Sequence, residues 1–319
     1  MRCGATFAVL ILAWAAVITS EGHAQSGAAA NQPVDCLSGA VYAVPARGAV
    51  VEVPLVALPS QVGPDVHALY IGERHGIKGH PRAAACLMSH LAGRVHTLVL
   101  EQIRQDQQSI VDTQFTSHPE SAGQLGAALT WWKSGWPAWR VYEPLLAMAW
   151  IGRMAIRGGD VPTGMNTPSE VELAEQFATR TGSRFERAVT SWSAAMRQAH
   201  CNLIEDARAR SLAVTQVHRD LSMAGVMQAA LRPDGIAMFY SGRAHVRRDR
   251  SVPSLVGGDV ARSQLSIALI EDSEPRLRRA KAESLRGQFD LVWFVGEAPT
   301  NLDSCERLAG LTGRAPTQK

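Results

Sequence analysis

The chain has 319 residues, 46% of them hydrophobic and 19% charged, and its 32 Lys and Arg against 29 Asp and Glu leave a formal charge of +3. These values exclude a disordered polymer, a collagen-like chain and a cysteine-framework miniprotein. So small and scattered a surplus of positive charge gives no reason to expect nucleic acid as a partner. The length fits one large domain or two ordinary ones, and composition alone names no function.

In chain order, the first feature is an apolar run over residues 5–18, preceded by Arg2 and interrupted by Thr6. As a helix it would span about 21 Å at about 1.5 Å per residue, short of a bilayer core. Gly22-His23-Ala24 supplies small residues for a signal peptidase. We therefore expect a secretory signal peptide over 1–24, cleaved near Ala24–Gln25, rather than a membrane anchor. The mature chain, 25–319, is expected in the periplasm or outside the cell, with no further membrane span. No lipobox is read, since Pro33-Val34-Asp35 precede Cys36. Export permits disulfides. The expected pair is Cys36–Cys305, because domain termini are often neighbours, with Cys86 a buried free thiol in an Ala-rich helical stretch. The alternative leaves Cys36, Cys86, Cys201 and Cys305 all reduced and buried.

Residues 25–35 are small and polar. Two β-like runs within 39–58, separated by Pro45-Ala46-Arg47-Gly48, predict a hairpin. A buried strand over 67–73, a helix over about 82–92 and a strand over 96–103 make a βαβ unit with parallel strands and a right-handed crossover. Residues 105 to about 146 read as helical and carry Trp131, Trp132, Trp136 and Trp139. Residues 160–166 suggest a short strand. Asn166 to Glu170 resembles a helix start, and 169–231 reads as helix throughout. Three more apolar strands cover 235–242, 264–271 and 290–297. The fold class expected is α/β: a mainly parallel sheet flanked by helices, with a helical insertion subdomain. We read one domain over 25–319, with helical insertions at roughly 105–146 and 169–231.

There is no GxGxxG, Walker loop, HExxH, CxxC or GxSxG, which lowers dinucleotide enzymes, NTPases and elbow-type serine hydrolases. What remains gathers at strand ends. Gly72-Glu73-Arg74-His75 closes one strand, Glu101 the next, and Gly242-Arg243-Ala244-His245 a third. Loops after the carboxyl ends of parallel strands face one crevice. Glu73 and Glu101, on strands about 4.8 Å apart, are expected side by side with His75 and His245. These four could ligate a divalent metal or form a general acid–base set; individually, each is as readily a cap or a packed polar residue. Arg219, in Val217-His218-Arg219-Asp220, is expected either to anchor an anionic ligand or to lie on a solvated helix face. His80 reads as a supporting or exposed residue. His200-Cys201 reads as a soft ligand pair or a packed Cys beside a surface His. The tryptophans suit either a planar ligand such as a porphyrin or simple docking of a helical insertion.

The blocks LYIGERHGIKGHPRAAACLMSHL, TLVLEQIRQDQQSIVD, HRDLSMA and GRAHVRRDRSVPSLV, in that order over most of 69–255, resemble the ChaN-like haem-binding lipoproteins. Those belong to a superfamily with the Tiki and TraB proteins and the erythromycin esterases. The resemblance implies a parallel-rich α/β fold and, for the ChaN branch, haem binding linked to iron uptake at the cell envelope. For the Tiki branch it implies a metal-dependent peptidase using two Gly-x-x-His motifs and a Glu, here Gly72–His75, Gly242–His245 and Glu101. Glu73 matches the GE-x-x-H pattern of the esterase side. The missing lipobox departs from the ChaN pattern. Haem ligation in that branch looks to use a tyrosine; of Tyr42, Tyr70, Tyr142 and Tyr240, Tyr142 is the residue chosen here. The haem reading thus assigns Tyr142, Arg219 and His245 to the cofactor. The alternative, a metal-dependent peptidase or esterase, assigns Glu73, His75, Glu101 and His245 to catalysis and to the metal. The expected partners are haem or another small molecule, a second copy of the chain, and an outer-membrane uptake receptor.

Overall fold

The strand Ala68–Glu73 (β3) is buried along its whole length, the pattern of a parallel strand covered on both faces. Its side chains alternate between two cores: Leu69 and Ile71 join one, Ala68 and Tyr70 the other. The computed structural model describes residues 36–296 apart from 92, 183 and 259–262. The expected signal peptide over 1–24, the polar segment 25–35 and Cys305 lie outside the described residues.

The described strands form one sheet: β1 (Ala40–Ala43), β2 (Val51–Val53), β3, β4 (Val95–Arg104), β5 (Ala155–Asp160), β6 (Ile236–Gly242), β7 (Gln264–Ile270) and β8 (Leu291–Phe294). Their order is β2-β1-β8-β7-β3-β6-β4-β5. From β8 to β5 every neighbouring pair is parallel, and β1 is antiparallel to both β2 and β8. The predicted hairpin is thus the β1–β2 pair, and the expected mainly parallel sheet flanked by helices is present.

The helices are α1 (Leu58–Gln61), α2 (Gly79–His90), α3 (Gln108–Ser117), α4 (Leu125–Ala128), α5 (Trp139–Ile151), α6 (Glu170–Thr181), α7 (Phe185–Ala199), α8 (Asp206–Ala230), α9 (Val252–Leu255) and α10 (Arg278–Ser284). One face of the sheet packs against Leu87 of α2, Val111 of α3, and Leu145 and Trp150 of α5. The other packs against Leu173 of α6, Val189 and Trp192 of α7, and Val217 and Met227 of α8. None of the described helices is long and apolar enough to cross a membrane.

Several expectations are corrected. β3 and β4 are parallel, but β6 inserts between them, so Glu73 and Glu101 are not on adjacent strands. The strand near 160 is Ala155–Asp160, not 160–166. The stretch 169–231 is three helices rather than one. Gly182 (φ +71°) ends the first, and Cys201 and Asn202 (both φ +57°) turn the chain after the second, a conformation no α-helix continues through. Its start is as expected: Ser169 caps α6 and Glu172 completes a capping box. Residues 105–146 are likewise broken into short helices and turns. Cys36 pairs with Cys86, which overturns both the Cys36–Cys305 pair and the free Cys86 thiol. The chain entering β1 is therefore tied to α2. Cys201 is disulfide-bonded too, so His200-Cys201 is not a soft ligand pair.

Candidate functional site

The carboxyl ends of β3 and β6, with Glu101 three residues before the end of β4, build one polar centre. Glu73, the final residue of β3, stands in register with Gly242, the final residue of β6. The Glu73 carboxylate is 1% exposed and lies among donors. Tyr142 hydroxyl (2.9 Å), Gln102 Nε2 (3.0 Å) and His75 Nδ1 (2.8 Å) meet Oε1, and Tyr240 hydroxyl (2.7 Å) donates to Oε2. Glu101, also 1% exposed, accepts from Arg219 Nη2 on Oε1 (2.8 Å) and from the Gly242 backbone N–H on Oε2 (2.6 Å). His245 Nε2 stands 3.3 Å from Oε1, and His75 Nε2 stands 3.9 Å from Oε2. The two imidazoles, 170 positions apart in sequence, therefore flank one carboxylate.

The centre continues inward. His245 Nδ1 lies 2.7 Å from Asp220 Oδ1, and Trp192 Nε1 donates to the other Asp220 oxygen at 2.9 Å. Arg219 grips Asp160 at the end of β5 with Nε (2.8 Å) and Nη2 (2.9 Å), while Nη1 meets Gln216. Arg219 and Asp220 are consecutive on α8, so their side chains leave on adjoining directions and reach Glu101 and His245 respectively. Gly242 is required here: a Cβ would come within 2.9 Å of His75 Nε2 and 3.3 Å of Glu101 Oε2.

Charge follows from this geometry. Burial pushes Glu101 up, but His245, Arg219 and His75 outweigh it and hold the carboxyl well below the usual range. Burial also opposes protonation of His245, yet Glu101 and Asp220 on its two sides raise its pKa to about 9. Burial works against His75 in the same way, and its hydrogen bond to Glu73 with the Glu101 charge carries its pKa above that of a free histidine. Burial and then the Glu73 carboxylate push the Tyr142 and Tyr240 phenols up. His75, whose side chain is 37% exposed, brings this buried network to the surface. The edge-on ring of Trp136 lies 4.8 Å from it.

Of the residues singled out from sequence, Glu73, His75, Glu101, His245, Arg219 and Tyr142 all join this one network. Two are placed otherwise than expected. Arg219 spends its donors on Glu101, Asp160 and Gln216 instead of presenting them to a ligand. Tyr142 is 1% exposed with its hydroxyl on Glu73. Tyr240, passed over in favour of Tyr142, also reaches Glu73; Asp160, Asp220, Gln102 and Trp192 were missed. Asp220 was within sight, since it follows Arg219 on one helix. The tryptophans divide. Trp131 is buried, donates to the Pro137 carbonyl (2.7 Å) and packs on Trp139 and Tyr142, which is docking of the insertion; Trp136 reaches the site. His80 is buried and accepts the Arg74 backbone N–H at 3.0 Å, pinning the loop that carries His75.

Neither ligand reading maps on unchanged. All four oxygens of Glu73 and Glu101 already face donors, one of them a guanidinium, so the set does not fit a divalent cation. Among the described residues the grouping of three possible donors within 4.8 Å is Cys36, Cys86 and His90, and its sulfurs are spent on the disulfide. Tyrosine ligation of haem does not fit either. Tyr42, Tyr70, Tyr142 and Tyr240 are all buried, and the hydroxyls of Tyr142 and Tyr240 are turned to Glu73. An imidazole ligand does fit. His75 is exposed, its Nδ1 is tied to a carboxylate, and Nε2 has no hydrogen-bond partner among the described residues; metal-binding histidines are commonly oriented through the second ring nitrogen in this way.

The carboxyl rim of a parallel α/β sheet, where this charged cluster lies, is the place where such folds usually bind ligands. A family model described as "Haem-binding uptake, Tiki superfamily, ChaN" matches residues 64–256, more than half of the chain. The chain belongs to that family. Among solved structures it is similar to ChaN of Campylobacter jejuni, described with cofacial haem binding, at 14% identity and a TM-score of 0.59, covering 80% of this chain and 97% of that one. It also matches an erythromycin esterase, EreC, in its open conformation, at 13% identity and a TM-score of 0.40, covering 80% and 82%. No curated protein matches by sequence.

Proposed function

We propose that this chain binds haem at the carboxyl rim of the sheet, with His75 as the iron ligand, and serves haem or iron uptake in an exported compartment. The observation that carries the reading is His75 itself: an exposed imidazole whose Nδ1 is fixed on Glu73 and whose ring meets Trp136. The family description supports haem as the ligand, and the fit of an imidazole, rather than a phenolate, selects the residue. Bound haem would supply an iron centre with an open coordination position. Glu73 orients the imidazole and strengthens it as a donor; Tyr142, Tyr240 and Gln102 hold Glu73 in place; Trp136 offers an aromatic wall for a planar ligand. The Cys36–Cys86 disulfide supports an oxidising compartment, as does the apolar run near the N-terminus. Titrating haemin into the purified protein at micromolar concentration tests this. A saturable Soret shift at one haem per chain is expected, and an unshifted spectrum would reject the proposal.

A second reading is favoured by the placement of Glu101 between His75 and His245, an arrangement suited to general acid–base catalysis. In that reading His75 takes a proton from water at the mouth and Glu101 stabilises the imidazolium formed. Turnover of ester or peptide substrates that is lost in His75→Ala, with no haemin response, would favour it over haem binding.

A further inference from the structure

Beside the His75 centre, on the same rim, three other charged residues close neighbouring strands. Arg74 follows β3, Arg243 follows β6 and Glu271 follows β7, and the sheet order β7-β3-β6 sets them side by side. Arg74 Nη1 donates to Glu271 Oε1 at 3.1 Å. Arg243 Nη1 stands 3.6 Å from Glu271 Oε2 and donates to the Leu269 carbonyl at 2.8 Å. Each guanidinium is anchored through one nitrogen, while Nε and Nη2 of both have no hydrogen-bond partner among the described residues. The side chains are 41% and 31% exposed, so both guanidiniums lie at the partly open rim.

The backbone is built to hold the pair together. At Gly72 a Cβ would lie 2.3 Å from Val246 Cγ2 and 2.7 Å from Arg243 Cα. Only glycine there lets the turn carrying Arg243 settle on the end of β3, next to Arg74. His80, buried behind them, has its pKa lowered to about 4, by burial first of all, so it adds no charge at neutral pH. Two guanidiniums therefore share one carboxylate, and the cluster carries an unbalanced positive charge next to an exposed imidazole.

We infer that Arg74 and Arg243 form a carboxylate-binding site that anchors the acidic groups of the ligand held at His75. Forked guanidinium donors match a carboxylate in pairs, and on the haem reading those groups are the propionates. The inference rests on that reading for the identity of the ligand, not for its charge.

The test compares haemin with haemin dimethyl ester, whose propionates carry no charge. The wild type should bind haemin about tenfold more tightly than the ester. Arg74→Gln and Arg243→Gln should each weaken haemin by about tenfold and leave the ester unchanged. Equal affinity of the wild type for both, or equal weakening of both in the variants, would overturn the inference. The Arg74 side chain makes a single hydrogen bond, so Arg74→Gln should fold even if Arg243→Gln does not. If haemin gives no Soret response at all, the haem reading fails and the carboxylate site is judged separately, with glutarate as the probe. Thermal stabilisation of the wild type by glutarate that is absent in Arg74→Gln supports the site; an unshifted melting temperature in the wild type, or the same shift in both proteins, overturns it.

Discussion

His245 should make the stability of the ligand-free protein fall as pH rises from 6.5 to 9. Its two ring nitrogens face Asp220 at 2.7 Å and Glu101 at 3.3 Å, so only the doubly protonated ring donates to both. The pKa rises from 6.5 to about 9 in the folded protein. At about 1.4 kcal/mol for each tenfold change in proton affinity, this corresponds to about 3 kcal/mol of linked stability. Because the folded value lies above the unfolded one, that stability is fully present below pH 6.5 and is lost as pH climbs through 9. For a chain of this size the loss amounts to roughly 6–12 °C in melting temperature. His245→Gln cannot carry the charge. It should melt lower than the wild type at pH 6 and lose most of the decline above it, keeping only the smaller part that His75 adds in the same direction. Thermal unfolding followed by circular dichroism between pH 6 and 9.5 measures this. A decline of the same slope in wild type and variant would refute the argument that a charged imidazole bridges the two carboxylates.

Glu101→Gln removes a buried charge that faces Arg219 and His245, and should cost about 3–5 kcal/mol, read as a lower urea midpoint; an unchanged midpoint would mean that the carboxylate holds no structural role. Replacing Cys36 with Ser opens a loop of 50 residues and should cost about 2–4 kcal/mol, read as a lower urea midpoint without reductant; an unchanged midpoint would mean that this bond adds no stability. Gly242→Ala places a methyl 2.9 Å from His75 Nε2, so haemin affinity should drop at least about tenfold while the far-ultraviolet spectrum stays the same; unaltered affinity would detach Nε2 from the ligand.

The parts of this molecule legible in sequence are those set by local pattern. Uniformly apolar runs such as Ala68–Ile71 announce buried parallel strands, and glycine followed by a polar triplet announces the turn that ends them. His75, His245 and Glu101 were found because each immediately follows such a run. What could not be read is lateral order: an apolar strand does not say which strand lies beside it, so the insertion of β6 between β3 and β4 was hidden. With it went the role of Tyr240, which lies in an apolar strand yet donates to Glu73, and that of Tyr142, chosen from sequence as a haem ligand but turned to the same carboxylate. Asp160 and Asp220 become meaningful only once α8 is laid across the sheet. The Cys36–Cys86 bond depends likewise on a tertiary approach between chain entry and α2, for which terminal proximity was a poor guide.

The claim on which the account turns is that His75, not a tyrosine, holds haem iron. Its most direct test is the absorption spectrum of haemin titrated into wild type, His75→Gln and Tyr142→Phe under one set of conditions. The account predicts a saturable Soret shift in the wild type and in Tyr142→Phe, and its loss in His75→Gln. The reverse pattern, with the shift kept in His75→Gln and lost in Tyr142→Phe, would contradict it.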